Sequence, residues 1–290
     1  MIHYVRTFYR RMFRGTLFIL KAGGRVITDD KMRANLLENI QELNRDGIDV
    51  LLIYGGGHAI DDAMNEAGIK PFKIDGRRIT SEDDIKIVKQ VMAGDLGYRL
   101  AETMADIGLD GVVLNAIPPL WAHYKRRPKK EGIVRFDGEI TGVNKKYIED
   151  YFEGPRFTAM PCLGVVESGI TLNINADNVA IAMATGMKAT KLILLTDVDG
   201  VMVNGEKASV LTGRETEQLI ADGIVTGGMQ VKLENCVAAL RSGVKRVHII
   251  NGFTKDALKK EVYTKEGIGT MIIRHKNKKI YELELGKKAA

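Results

Sequence analysis

Apolar residues along this chain alternate between two rhythms. Short apolar runs at 16–21, Asp49–Tyr54, 111–115, Phe157–Pro161, 165–173, Lys191–Thr196, 244–250 and 269–274 have the length and bounding turn residues of strands. Between them, apolar positions recur at helical spacing. Over Asp30–Arg45 they are Met32, Leu36, Leu37, Ile40 and Leu43, and similar helices are expected over 58–67, 144–152, 176–187, 214–222, 229–242 and 254–260. The longest such stretch, 81–107, has Ser81 as its N-cap and Asp84 in its first turn. Two hairpins are expected, over 72–80 with its turn at Asp75-Gly76 and over 133–143 with its turn at Asp137-Gly138. Strands alternating with helices of this length predict a mainly parallel sheet covered on both faces, an α/β fold in three layers. The rhythm repeats after about residue 165, which predicts two lobes, 16–165 and 166–290, preceded by an N-terminal segment 1–15. That segment places Tyr4, Val5, Phe8, Met12 and Phe13 close to helical spacing among arginines. It reads as an amphipathic helix. A transit peptide shares the Arg-rich, acid-poor composition, but this segment lacks serine enrichment.

Composition narrows the class. With 290 residues, 45% hydrophobic and 28% charged, the chain has globular composition and enough length for one large core or two coupled lobes. No apolar run approaches the ~20 residues that span a bilayer. Cys162 and Cys236 are far apart and fit no metal spacing or disulfide framework, which suits a reducing cytosol. The net charge of +6 is mild. Its local concentrations are Arg6–Arg14 and the loop expected at Lys125–Lys130. Without a recognisable nucleic-acid-binding motif, such charge reads as solvated surface or as a face for an acidic partner.

The chemistry lies in the loops. Lys21-Ala22-Gly23-Gly24 follows the first strand, Gly55-Gly56-Gly57 follows the second, and Gly227-Gly228-Met229-Gln230-Val231-Lys232 opens a helix. Glycine lets a backbone approach an anion and aim its N–H groups at it. In parallel sheets, ligands bind beyond the carboxyl ends of the strands, where these loops converge. The P-loop, dinucleotide-binding and protein-kinase signatures are absent, so phosphate handling here follows another pattern.

That pattern is recognisable. Lys21–Gly24, Tyr54–Gly57, Gly76–Thr80, Phe136–Ile140, Asn173–Asp177, Leu195–Gly200 and Gly227–Lys232 occur in an order that resembles the amino acid kinase family, most closely its N-acetylglutamate kinase branch. The resemblance implies an ATP-dependent phosphotransferase acting on a side-chain carboxylate in arginine synthesis, with the first lobe holding the acceptor and the second ATP. By the same resemblance, Lys21 and Lys232 neutralise the moving phosphoryl group and Asp177 orients them, although Asp177 also reads as a helix N-cap. Gly56, Gly57, Arg78 and Asn173 would contact the acceptor. Gly23, Gly24, Thr196, Asp197, Asp199, Gly228 and Met229 would contact ATP. Mg²⁺ would arrive on the nucleotide, with no metal site of the protein's own. The N-terminal helix resembles one that interlaces homodimers into hexamers.

The chain departs from the branch at three places. They are Gly94-Asp95-Leu96-Gly97-Tyr98, the segment from Asn115 to Arg135, and Asp137 in Phe136-Asp137-Gly138. These leave a second acceptor open, an acidic amino acid carried on a small acidic protein or otherwise N-acylated. Lys125–Lys130 and Arg25 are similar to that related branch. A regulatory pseudokinase would have lost the lysines, and both are present.

Overall fold

The computed structural model describes residues 2–74, 77–154, 156–278 and 281; the side chains of residues 2–5 and of Arg77 lie outside the description. Eight strands form the central sheet in the order Val210–Thr212, Thr270–Ile273, Arg246–Asn251, Lys191–Thr196, Leu17–Ala22, Asp49–Tyr54, Phe157–Pro161 and Val112–Val113. Every pairing is parallel except that of Arg246–Asn251 with Thr270–Ile273. Helices flank the sheet. Asp30–Arg45 packs with Ala257–Tyr263, and Ala176–Gly186 packs with Gly227–Arg241. Strand residues such as Phe18, Ile19, Leu20, Leu51, Leu52 and Ile193 are fully buried, as a sheet covered on both sides requires. A second, four-stranded sheet comprises Ala122–Arg126, Asp137–Val143, Thr171–Ile174 and Leu163–Val165.

Four local readings are corrected by the structure. The stretch 133–143 is not a hairpin. Asp137–Val143 is one strand, antiparallel to Ala122–Arg126, so the basic stretch expected as a loop begins as a strand. Asp137-Gly138 looks like a turn pair, yet Asp137 is claimed by Arg135 (Nε to Oδ1, 2.8 Å) and by the backbone N–H of Thr80. Gly138 lets strands close up, since a Cβ there would stand 2.8 Å from the carbonyl oxygen of Lys125. The expected strand 165–173 is two antiparallel strands, with Gly169 at φ +77° in the turn between them. The segment 81–107 begins with the capping box of Ser81 and Asp84, but between its two α-helical parts Gln90–Leu96 widens into a π-helix. In the N-terminal helix, Ile2–Phe13, Tyr9 and Phe13 are buried among the described side chains, whereas Phe8 and Met12 face outward. Arg6 and Arg10 tie the helix to Asp46. The hairpin Lys73–Ile74 with Arg77–Arg78 is present, and its turn at Asp75-Gly76 lies outside the described residues.

Beneath Phe13, at the amino ends of the strands, lies a buried polar chain. Lys191 Nζ is 3.1 Å from His248 Nε2, and His248 Nδ1 is 2.5 Å from Glu261 Oε1. A lysine ammonium can only donate, so Nε2 accepts and Nδ1–H donates, which makes the imidazole neutral. Burial, followed by the Lys191 charge, pushes the His248 pKa down to about 4, although Glu261 pulls the other way. The unfolded chain therefore takes up this proton first as pH falls from 6.5. Stability is full above 6.5 and is lost down to about pH 4. Urea unfolding should show a loss of up to ~1.4 kcal/mol per pH unit from this group within that window. A His248→Gln variant should flatten the slope; an unchanged slope would assign the acid sensitivity to other groups.

Candidate active site

The strands Leu17–Ala22, Asp49–Tyr54, Lys191–Thr196 and Arg246–Asn251 run parallel, so their carboxyl ends share one edge of the sheet. Lys21, next to last in its strand, lies between Ile53 and Leu194 in register. The chain then turns through Gly23 and Gly24 into the short helix Gly24–Thr28, while Gly55–Gly57 leads into the helix Gly57–Glu66. These two loops meet. A Cβ on Gly24 would be 3.6 Å from the backbone nitrogens of both Gly57 and His58. One added carbon on the first loop would thus be in van der Waals contact with the backbone of the second.

Asp177 approaches from the second half of the chain. It lies in the first turn of the helix Ala176–Gly186, whose N-cap is Asn175, accepting from the Asn178 N–H at 3.1 Å. The capping role read for Asp177 therefore belongs to Asn175. The Asp177 carboxylate instead meets Lys21 Nζ at 3.0 Å, with the two side chains 20% and 15% exposed. An ammonium in so enclosed a place needs a carboxylate partner, because desolvating it alone is costly.

A cleft opens above this pair. Lys21, Gly23, Gly24, Thr196, Asp197 and Lys232 line it, with Arg25, Val26, His58, Leu195 and Phe253. Lys232 reaches it from the second turn of the helix Gly227–Arg241. The Thr196 hydroxyl accepts from the Val198 N–H at 3.3 Å and steadies the turn that presents Asp197. Asp199 lies outside the lining and accepts from Asn251 Nδ2 at 2.7 Å, and Gly228 and Met229 also lie outside it. Arg25 and His58 were not read as cleft residues, although each directly follows a glycine loop. Phe253 gave no signal in sequence.

The remaining expected residues sit beyond the Gly55–Gly57 loop. Asn173 Nδ2 donates to Thr80 Oγ1 at 3.1 Å. The hairpin lays Arg78 against the helix Gly57–Glu66, where its Nη2 donates to Asp61 Oδ1 at 2.7 Å and to the Gly57 carbonyl at 3.3 Å. Burial opposes the Asp61 charge, but the bonds and charges of Lys73 and Arg78 outweigh it and hold the carboxyl below its usual range. Its Nη1 donates to Met64 Sδ at 2.9 Å, so both terminal nitrogens of the nearly buried Arg78 guanidinium are committed to the protein itself.

The profile of the amino acid kinase family matches residues 16–251. The acetylglutamate kinase of Kosmotoga olearia is 35% identical over 91% of this chain and 93% of its own length. That of Methanocaldococcus jannaschii is 35% identical over 90% and 92%. Among solved structures, the N-acetylglutamate synthase of Neisseria gonorrhoeae complexed with coenzyme A and N-acetyl-glutamate superposes with a TM-score of 0.85 at 26% identity, covering 94% of this chain. The chain spans 63% of that synthase's length. Giardia carbamate kinase, at 16% identity and a TM-score of 0.66, shares the fold over 90% of the chain. A mainly parallel sheet under two helical layers and relatives of this kind define an α/β phosphotransferase. The chain belongs to the amino acid kinase family.

Behind the cleft, Cys162 is buried. Burial pushes its thiol up to about 12, against the pull of the Lys21 charge, and burial likewise raises Cys236. Because the thiolate is the reactive form, neither should react with Ellman's reagent in the native protein, while both should in guanidinium. Rapid native labelling of Cys162 would show that the floor of the cleft is open to solvent.

Proposed function

We propose that this protein transfers the γ-phosphoryl group of ATP to the side-chain carboxylate of N-acetyl-L-glutamate, forming an acyl phosphate and ADP in arginine biosynthesis. The observation that carries this reading is the Lys21–Asp177 pair at the base of a glycine-lined cleft into which Lys232 projects from the other side. A carboxylate oxygen attacks phosphorus in line while the bond to the β-phosphate oxygen breaks. The acceptor is already ionised near neutral pH, so no general base is needed. What the protein must supply is positioning and neutralisation of charge. Lys21 and Lys232 act as point charges on the transferred oxygens, and Asp177 keeps Lys21 aimed. The N–H groups around Gly23, Gly24, Gly56 and Gly57 add fixed donors, each worth ~2.7–4 kcal/mol to such a transition state.

In this reading the lobe 16–165 holds the acceptor through Gly56, Gly57, Arg78 and Asn173. The lobe 166–290 holds ATP around Thr196, Asp197, Asp199, Gly228 and Met229, with Gly23 and Gly24 at the phosphates. No cluster of three or more metal-ligating side chains occurs among the described residues. Asp197 alone in the cleft, with Asp177 committed to Lys21, suits Mg²⁺ that takes most of its ligands from phosphate and water. When bound, the ion would neutralise charge on the phosphates. The protein would work in the cytosol as a homodimer or hexamer built with the helix Ile2–Phe13. The second reading, an acidic amino acid presented by an acidic carrier protein, draws on the exposed Lys125, within the strand paired with Asp137–Val143, and on the exposed Lys129 and Lys130 beyond it.

Hydroxylamine trapping separates the two readings. With Mg·ATP, a hydroxamate should form with N-acetylglutamate and not with glutamate, aspartate or N-acetylaspartate. Silence with all four, while ATP still raises the unfolding temperature, would favour the carrier-bound acceptor. Lys232→Ala should lower turnover on the order of 100-fold or more. Equal turnover by the variant would remove Lys232 from the chemistry.

A further inference from the structure

The widened turn Gln90–Leu96 lies directly behind the second glycine loop. A π-turn tilts carbonyls out of the regular helical ladder, and here the Met92 carbonyl accepts a hydrogen bond from the Tyr54 hydroxyl at 3.0 Å. Tyr54 is fully buried and ends the strand Asp49–Tyr54, immediately before Gly55. Burial raises the pKa of its phenol, so it remains a proton donor at any physiological pH. Gly97, just past the turn, leaves room for it: a Cβ there would stand 3.3 Å from the Tyr54 oxygen.

The turn in turn presses on the loop. A Cβ on Gly56 would be 2.6 Å from Met92 Sδ and 2.9 Å from Leu96 Cδ1, so the Gly56 backbone rests on these two side chains with no space between. Gly56 is the N-cap of the helix Gly57–Glu66 and contributes no side-chain cap. Gly57 and His58, whose backbone nitrogens lie near Gly24, therefore take their position from the backbone of Gly56, which takes its own from Met92.

We infer that Tyr54 is a positioning residue: by holding Met92 in the π-turn, its hydroxyl sets the height of the Gly55–Gly57 loop against the acceptor. This rests on the assignment of that loop to the acceptor in the reading above. It also gives the atypical Gly94–Tyr98 segment a role. With Gly97 in it, the rod can widen next to Tyr54 without a side chain crowding the hydroxyl.

The test uses two full-length variants, Tyr54→Phe and Met92→Ala, the second removing the contact with Gly56 while leaving the tyrosine. Both should lower kcat/KM for the acceptor by ~10- to 100-fold, because small displacements of reacting groups carry that penalty. KM for ATP should stay within about twofold, since the ATP side is untouched. Amide hydrogen exchange at residues 55–58 should speed up in both, with exchange in Lys191–Thr196 unchanged. Unaltered exchange at 55–58, or an equal rise in KM for both substrates alongside a lower Tm, would overturn the inference and leave Tyr54 a core residue. If the wild-type protein phosphorylates none of the acceptors, the functional reading fails. Faster exchange at 55–58 would even then support Tyr54 as the support of the loop.

Discussion

Burying the Lys21 charge is the constraint on which the site depends. Leu17–Leu20 can fill the middle of a covered sheet because they are apolar, but the same strand must end in a cation. A mostly enclosed ammonium is tolerable only beside a fixed counter-charge. Asp177 supplies it at 3.0 Å, from a helix more than a hundred residues downstream. The strand is also hydrogen-bonded along both edges, to Asp49–Tyr54 and to Lys191–Thr196. Register and ion pair together place Lys21, the first glycine loop and the ends of both neighbouring strands relative to one another. The cleft is the remaining space above them.

Much of this was legible in the chain. Asp30–Arg45, Asp49–Tyr54 and Lys191–Thr196 could be bounded from sequence because their patterns are strong and their neighbours are turn residues. The glycine loops were legible for a related reason: backbone that must approach an anion excludes side chains, and that leaves a mark in composition. The readings that failed depend on distant partners. Asp137-Gly138 looks like a turn until Arg135 and Thr80 claim the carboxylate. In the N-terminal helix the less polar ring, Phe8, is exposed and Tyr9 is buried, and the ion pairs of Arg6 and Arg10 with Asp46 help fix which side turns inward. A π-turn of seven residues is too short to shift a periodicity that extends over 81–107. Nothing local to Arg78 announces Asp61, and nothing near Phe253 announces the cleft.

The two ends of the sheet handle buried polarity differently. At the carboxyl ends, Lys21 is paired with Asp177, and in the proposed function the backbone N–H groups and Lys232 are left for a ligand to satisfy. At the amino ends, Lys191, His248 and Glu261 satisfy one another, and Glu261 also accepts from the Ile268 and Gly269 N–H groups at 2.7 and 3.0 Å. One end is built to be completed, and the other is complete already.

The position of Leu17–Ala22 bears on how such a chain can be divided. Although the elements repeat after about residue 165, a cut there would leave this strand in one fragment and its partner Lys191–Thr196 in the other. Each fragment would then present an unpaired, largely apolar strand edge to water, a surface that templates association with any similar edge. The two lobes are therefore not modules that recombine freely. They are halves of one sheet, and a circular permutation that kept Leu17–Ala22 beside Lys191–Thr196 would respect the architecture better than separation at its midpoint.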